Sequence, residues 1–187
     1  MIRTMRTKGM IGMLFAAILL AGSPAIAAEQ AGAKLERDSR AALATLYKKT
    51  PGAKALGSNA AAILIFPTIT KAGFVVGAQH GKGVLLKGGK NAGYFNTTAA
   101  SYGLQAGVQK YGYAMFFMND EALQQLYNAD GFEVGVGPSV VVVDAGFGKS
   151  ATTTTMKEDV YAFIFSQKGL MAGVGLQGSK ISRADPK

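Results

Sequence analysis

Apolar positions follow two periods along this chain. Between residues 29 and 50 they recur at helical spacing: Ala31, Leu35, Ala42, Leu43, Leu46 and Tyr47 form a partial apolar face. Lys34, Arg37, Arg40, Lys48 and Lys49 occupy the rest of the circumference. The spacing predicts an N-terminal amphipathic helix that stops at Thr50-Pro51-Gly52, with a second short helix over 53–60. From Ala61 the pattern changes. Ala61 to Phe66 is a continuous apolar run, read as a buried strand stopped by Pro67. Gly-punctuated strand segments follow at 73–77, 83–86, 92–95, 102–109 and 113–118, with Lys87-Gly88-Gly89-Lys90-Asn91 as a turn. Asn119-Asp120-Glu121 has the chemistry of a helix start, and that helix should run to Asn128 and end by Gly131. A second strand block is expected from Glu133 to Val143, with Val140 to Val143 buried on both faces. Thr152 to Thr155 reads as an exposed edge or a loop. The last strands are expected at 159–165 and 170–176, joined by a turn at Ser166-Gln167-Lys168-Gly169.

Short strands at this spacing with no long helices between them predict the α+β class. The expected body is a curled antiparallel β-sheet or barrel-like structure, with a few short helices and the N-terminal amphipathic helix. The segment from Gly93 to Gly107 alternates small, aromatic and amide residues without an ionisable side chain, which suits close backbone approach in a packed sheet rather than a catalytic cleft.

The first 27 residues read as a signal peptide. Arg3, Arg6 and Lys8 precede an apolar run of 11 residues from Ile11 to Ala21, too short to span a bilayer comfortably. Ala25-Ile26-Ala27 then supplies small residues for cleavage before Ala28. Residues 28–187 are expected to form one exported domain, periplasmic or secreted and peripheral to a membrane. No cysteine occurs, so disulfides, thiolate metal sites and an acylated cysteine are excluded. Loss of residues 1–27 leaves 17 basic against 11 acidic side chains, a charge of +6. That balance favours anionic partners, and export argues against nucleic acid.

Catalytic and cofactor signals are weak. Gly146-Phe147-Gly148-Lys149-Ser150 ends like a phosphate loop, but the position that should carry the first glycine is Val143. Gly173-Val174-Gly175-Leu176-Gln177-Gly178 fits the dinucleotide fingerprint literally, yet too few residues follow for a helix and a second strand. His80 is the single histidine, so a metal site would have to be built almost wholly from carboxylates. Ser101, His80 and Asp144 could form a hydrolytic set only if the fold joined them, and no nucleophile elbow is present. The expectation is a chain without enzymatic activity, metal or cofactor.

Several landmarks together resemble the SYLF-domain family. They are Ala62-Ile63-Leu64-Ile65-Phe66-Pro67, Lys71-Ala72-Gly73-Phe74-Val75-Val76-Gly77, Gly81-Lys82-Gly83-Val84-Leu85 and Ala100-Ser101-Tyr102-Gly103-Leu104-Gln105-Ala106-Gly107, followed by Phe116-Phe117-Met118-Asn119-Asp120, Asp159-Val160-Tyr161-Ala162-Phe163 and Lys168-Gly169-Leu170-Met171-Ala172-Gly173. They span about residues 33 to 183. The resemblance implies a non-enzymatic module that binds phosphoinositides and other anionic phospholipids, with actin as a further partner in fungal members. It also implies membrane contact through the N-terminal helix. The lipid-binding candidates are therefore Lys34, Arg37, Arg40, Lys48 and Lys49 on that helix, with Lys71 and Lys168 inside the matching motifs. The alternative is a protein-binding or scaffold module of the cell envelope.

Overall fold

The computed structural model describes residues 24–128, 132–134, 139–143, 157–169 and 178–185. Helix α1 (Pro24–Lys49) is followed after Thr50 by α2 (Pro51–Asn59). Pro51 fits the joint because the first helical position needs no amide hydrogen and its fixed φ suits a helix start. One stripe of α1 is buried, comprising Gly32, Ser39, Leu43 and Leu46, with Leu35, Ala42 and Tyr47 partly covered. The expected cleavage point before Ala28 falls in the first turns of α1, and residues 1–23 lie outside the described residues.

The six short strands expected between residues 61 and 118 are two long ones. Strand β1 (Ala62–Lys87) and strand β2 (Lys90–Phe117) form one antiparallel hairpin, closed by Gly88 and Gly89 at φ +57° and +75°. Two central residues with positive φ are the turn that matches strand twist. The polar stretches that suggested breaks, such as Ala78 to Lys82, still pair through their backbones. Pro67 does not stop the strand. It sits in a register shift between Phe66 and Ile69, on a strand that among the described residues pairs only with β2 and so leaves the proline facing no second ladder.

Helix α3 (Asp120–Leu126) starts as expected, with Asn119 Oδ1 accepting from the Ala122 amide at 2.8 Å. The remaining described strands are β3 (Phe132–Glu133), β4 (Val140–Val143), β5 (Val160–Gly169) and β6 (Lys180–Ala184). The sheet order is β3-β6-β2-β5-β4, and β1 covers the other edge of β2. Strands β6 and β5 therefore lie end to end along one edge of β2, opposite Tyr94–Thr98 and Gln109–Phe117. The sheet curls into a half-barrel. It is mixed rather than purely antiparallel, because β4 runs parallel to β5. Val142 is 53% exposed, so β4 is not buried on both faces: it ends the strand path and, among the described residues, has a neighbour on one side. Ser166 to Gly169 form no turn. They continue β5, with Ser166 kinked at φ +54° and Lys168 and Gly169 opposite Lys110 and Gln109. The expectations at 152–155 and 170–176, and the Gly146–Ser150 loop, lie outside the described residues.

Alternation along the strands builds two cores. One face carries Leu64, Phe66, Tyr113, Met115 and Phe117 against Leu123 and Leu126 of α3 and Phe132. The other carries Ile63, Ile65, Ala114, Phe116 and Phe163 under α1 and α2. Phe116 and Phe163 meet edge to face at 5.3 Å between centroids, a favoured aromatic geometry.

Candidate functional site

Helix α1 divides its basic residues by face. Its apolar stripe is packed on the sheet, and the large apolar side chain it leaves exposed is Ile26 in the first turns. At 100° per residue the opposite face carries Lys34, Arg37, Ala41, Thr45 and Lys48, and Lys49 lies beside it. All four cations are exposed, and Lys34 pairs with Asp38 one turn on. Arg40 points elsewhere. It binds Glu36 at 2.7 Å and donates to the Gly89 carbonyl at 2.9 Å, which ties α1 to the hairpin turn. The Asn91 side chain donates to the same glutamate at 3.0 Å. Arg40 first and Asn91 next hold the Glu36 carboxyl below the ordinary carboxylate range. Arg40 thus serves the fold rather than the outer cationic face.

Lys71 is not on that face either. Only 5% exposed, it stands opposite Gln109 on the interior side of the hairpin. Its neighbourhood is polar: Gln79 accepts from the Tyr111 hydroxyl at 2.8 Å and donates to Ser179 Oγ at 2.8 Å. Burial pushes the Tyr111 hydroxyl up to about 12, and burial with Tyr111 nearby raises Tyr113 further. Lys168 is exposed on β5, directly opposite the exposed Lys110 of β2. The seven candidates therefore separate into an outer helix group, an anchor, an interior lysine and a sheet lysine.

The structure adds a feature that the strand pattern concealed. Six large apolar side chains are exposed among the described residues, and Phe74, Val75, Val76 and Val108 share one corner of the hairpin. The signal was present in Gly73-Phe74-Val75-Val76-Gly77, where glycines four apart bracket an apolar triplet. Such spacing marks a sharp bend as readily as a buried strand.

No group of three histidine, aspartate or glutamate side chains gathers among the described residues. Ser101 pairs with Gly77, while His80 is exposed opposite Thr98 and Asp144 lies outside the described residues. A cleft between α1 and the hairpin, lined by Lys34, Leu35, Lys82, Tyr94 and Asn96, holds about 180 Å³. A second cleft, lined by Arg40, Tyr47, Gly57, Ile63 and Gly88, holds about 400 Å³, within the roughly 300–1,000 Å³ usual for ligand pockets. No described helix is long and apolar enough to cross a membrane.

The described residues thus form an α+β half-barrel with an exposed row of cations on α1 and an exposed apolar corner on the hairpin. Residues 98–186, a little under half of the chain, match the family model described as Ysc84: Las17-binding protein actin regulator, a match that supports a SYLF-domain protein. The match begins inside β2, so both N-terminal helices and β1 precede it. No curated protein matches the chain.

Proposed function

We propose that this protein is a non-catalytic, exported module that adheres to anionic phospholipid surfaces. The reading is supported chiefly by the outward row of Lys34, Arg37, Lys48 and Lys49 on a helix whose apolar side is already used by the sheet. Contact through that row is electrostatic. Each cation near an anionic membrane contributes about 1 kcal/mol, so four give about 4 kcal/mol, or roughly millimolar affinity. Binding of this kind is reversible and salt-sensitive. The screening length falls from about 10 Å at 0.1 M to about 3 Å at 1 M salt.

Cosedimentation tests the reading. The purified protein should pellet with phosphatidylglycerol or cardiolipin vesicles at low salt and stay in solution with phosphatidylcholine. High salt, or joint replacement of Lys34, Arg37, Lys48 and Lys49 by Glu, should release it. Equal pelleting with neutral and anionic vesicles would refute electrostatic adhesion. A second reading, an envelope protein partner, is favoured by the outer edge of β1, which among the described residues pairs with β2 alone. An extended segment could add there as another strand. A pull-down that survives detergent and high salt would select this reading.

A further inference from the structure

The hairpin corner at Phe74 to Val76 has an apolar tip and a cationic base. Phe74 is 79% exposed, Val75 50%, Val76 51% and Val108 54%. Scattered surface apolar residues are ordinary, but a cluster of this kind marks an interaction site. Its protrusion follows from the backbone. Phe74 pairs with Ala106 and Val76 with Tyr102, so a single β1 residue faces three of β2. That residue, Val75, adopts φ +64°, an unfavourable region for a β-branched side chain. At the base, a Cβ on Gly73 would lie 2.4 Å from the Gly77 Cα, so the two glycines are in backbone contact. The chain holds three apolar side chains in water on a closed, strained turn.

The charges behind the tip are positioned to match. Val108 and Lys110 lie two residues apart and so share a face, with Lys110 opposite both Thr70 and Lys168. Among the described residues Lys110 and Lys168 form no salt bridge, and like charges directly opposite each other destabilise a strand pair unless an anion intervenes. Two residues of strand span about 7 Å, and the four from Phe74 to the Lys110 register about 13 Å. Interfacial elements bury their apolar face about 5–10 Å into the headgroup/acyl boundary. With the tip in the acyl region, the two amines stand at phosphate height.

We infer that the Phe74-Val75-Val76 corner, with Val108, penetrates the interface of an anionic bilayer while Lys110 and Lys168 engage lipid phosphates. The inference rests on the membrane-binding reading and locates its apolar anchor outside α1. A projecting apolar tip backed by two adjacent cations fits a negatively charged fluid surface that closes around it. A second copy of this chain would bring the same two lysines to the contact and repel.

The chain contains no tryptophan, so Phe74→Trp gives a single fluorescent reporter. Its emission should shift to shorter wavelength with anionic vesicles, and lipids brominated near the top of the acyl chain should quench it. Phe74→Asp should weaken partitioning about 10- to 100-fold, the loss of one buried aromatic side chain. Lys110→Gln with Lys168→Gln should weaken it on the order of 30-fold, the loss of two cations. Since Phe74, Lys110 and Lys168 are exposed, unchanged thermal melts will show that the variants fold. Unshifted emission from the Phe74→Trp variant, on vesicles that do pellet it, overturns the inference. So does wild-type affinity in Phe74→Asp when the α1 charge reversals abolish binding, a result that leaves the electrostatic reading intact. Failure of the unaltered protein to bind anionic vesicles removes both. A change in oligomeric state by Phe74→Asp at constant vesicle affinity overturns the inference in favour of self-association.

Discussion

Gly73→Ala tests how firmly the hairpin corner is closed. An added Cβ would meet the Gly77 Cα at 2.4 Å and the Val76 carbonyl oxygen at 2.6 Å. Unstrained carbon contacts begin near roughly 3.5 Å, so about 1 Å of movement is required. Both obstacles are backbone, and no rotamer change relieves them. Overpacking costs about 1–3 kcal/mol and more where the surroundings cannot yield, so the expected loss is about 3 kcal/mol or above. Gly77→Ala is the internal comparison. Its nearest obstacle is Ser101 Oγ at 2.8 Å, a hydroxyl that can rotate, and the next contact is at 3.4 Å. That change should cost less than about 1.5 kcal/mol. Urea denaturation followed by circular dichroism reads both. With a slope of about 1–3 kcal/mol/M, the Gly73→Ala midpoint should fall by at least about 1 M, well beyond that of Gly77→Ala. Equal midpoints for the two variants would refute the reasoning, since they would show that the corner opens without resistance.

Four other outcomes are expected. Phe116→Ala should destabilise by about 3–5 kcal/mol in the same assay, because the ring is fully buried between Tyr47 and Phe163. Arg40→Ala should cost about 1 kcal/mol through loss of the Gly89 carbonyl bond, yet leave vesicle binding within about twofold of wild type. The Asn119 side chain first, then Ser139, hold Asp159 below its ordinary value of 3.8. The folded state therefore favours its charged form. This contribution is complete above the ordinary value and lost as pH falls through the lower folded value, so Asp159→Asn should flatten the acid limb of a stability–pH curve. At the alkaline end Tyr111 is raised from 10.0 to about 12, so its stabilisation is complete below pH 10 and disappears as pH rises through about 12. Tyr111→Phe should reduce that alkaline loss, with tyrosinate absorbance as the readout.

Local chemistry was readable wherever one residue type decides one backbone state. Asn119 capped its helix, Gly88-Gly89 closed the hairpin, and Thr50-Pro51 separated the two helices. Strand length was not readable, because pairing depends on the neighbouring strand. Polar residues such as Gln79 and Thr97 sit within β1 and β2 and are buried by the curl, although in sequence they look like interruptions. Ser166 to Gly169 have the composition of a turn but bend in mid-strand, where β2 supplies the partner. The parallel β4–β5 pair lies still further from local pattern, since it depends on how the chain returns across the sheet.

The site was readable in its charge and hidden in its direction. Periodicity correctly placed Lys34, Arg37 and Lys48 away from the apolar stripe of α1, and the same period put Arg40 on the flank where it meets Gly89. For strand lysines a period of two gives two faces without saying which one is covered. Lys71 fell on the closed side and Lys110 on the open side, although nothing in the composition around them distinguishes the two. The apolar corner was hidden for the opposite reason. In sequence Phe74, Val75 and Val76 look like core, and only the backbone contact between Gly73 and Gly77 turns them outward. Exposure at that corner is thus a consequence of the bend rather than of side-chain polarity. For that reason its apolar side chains are the stronger functional signal: a bend alone could have been built with polar residues.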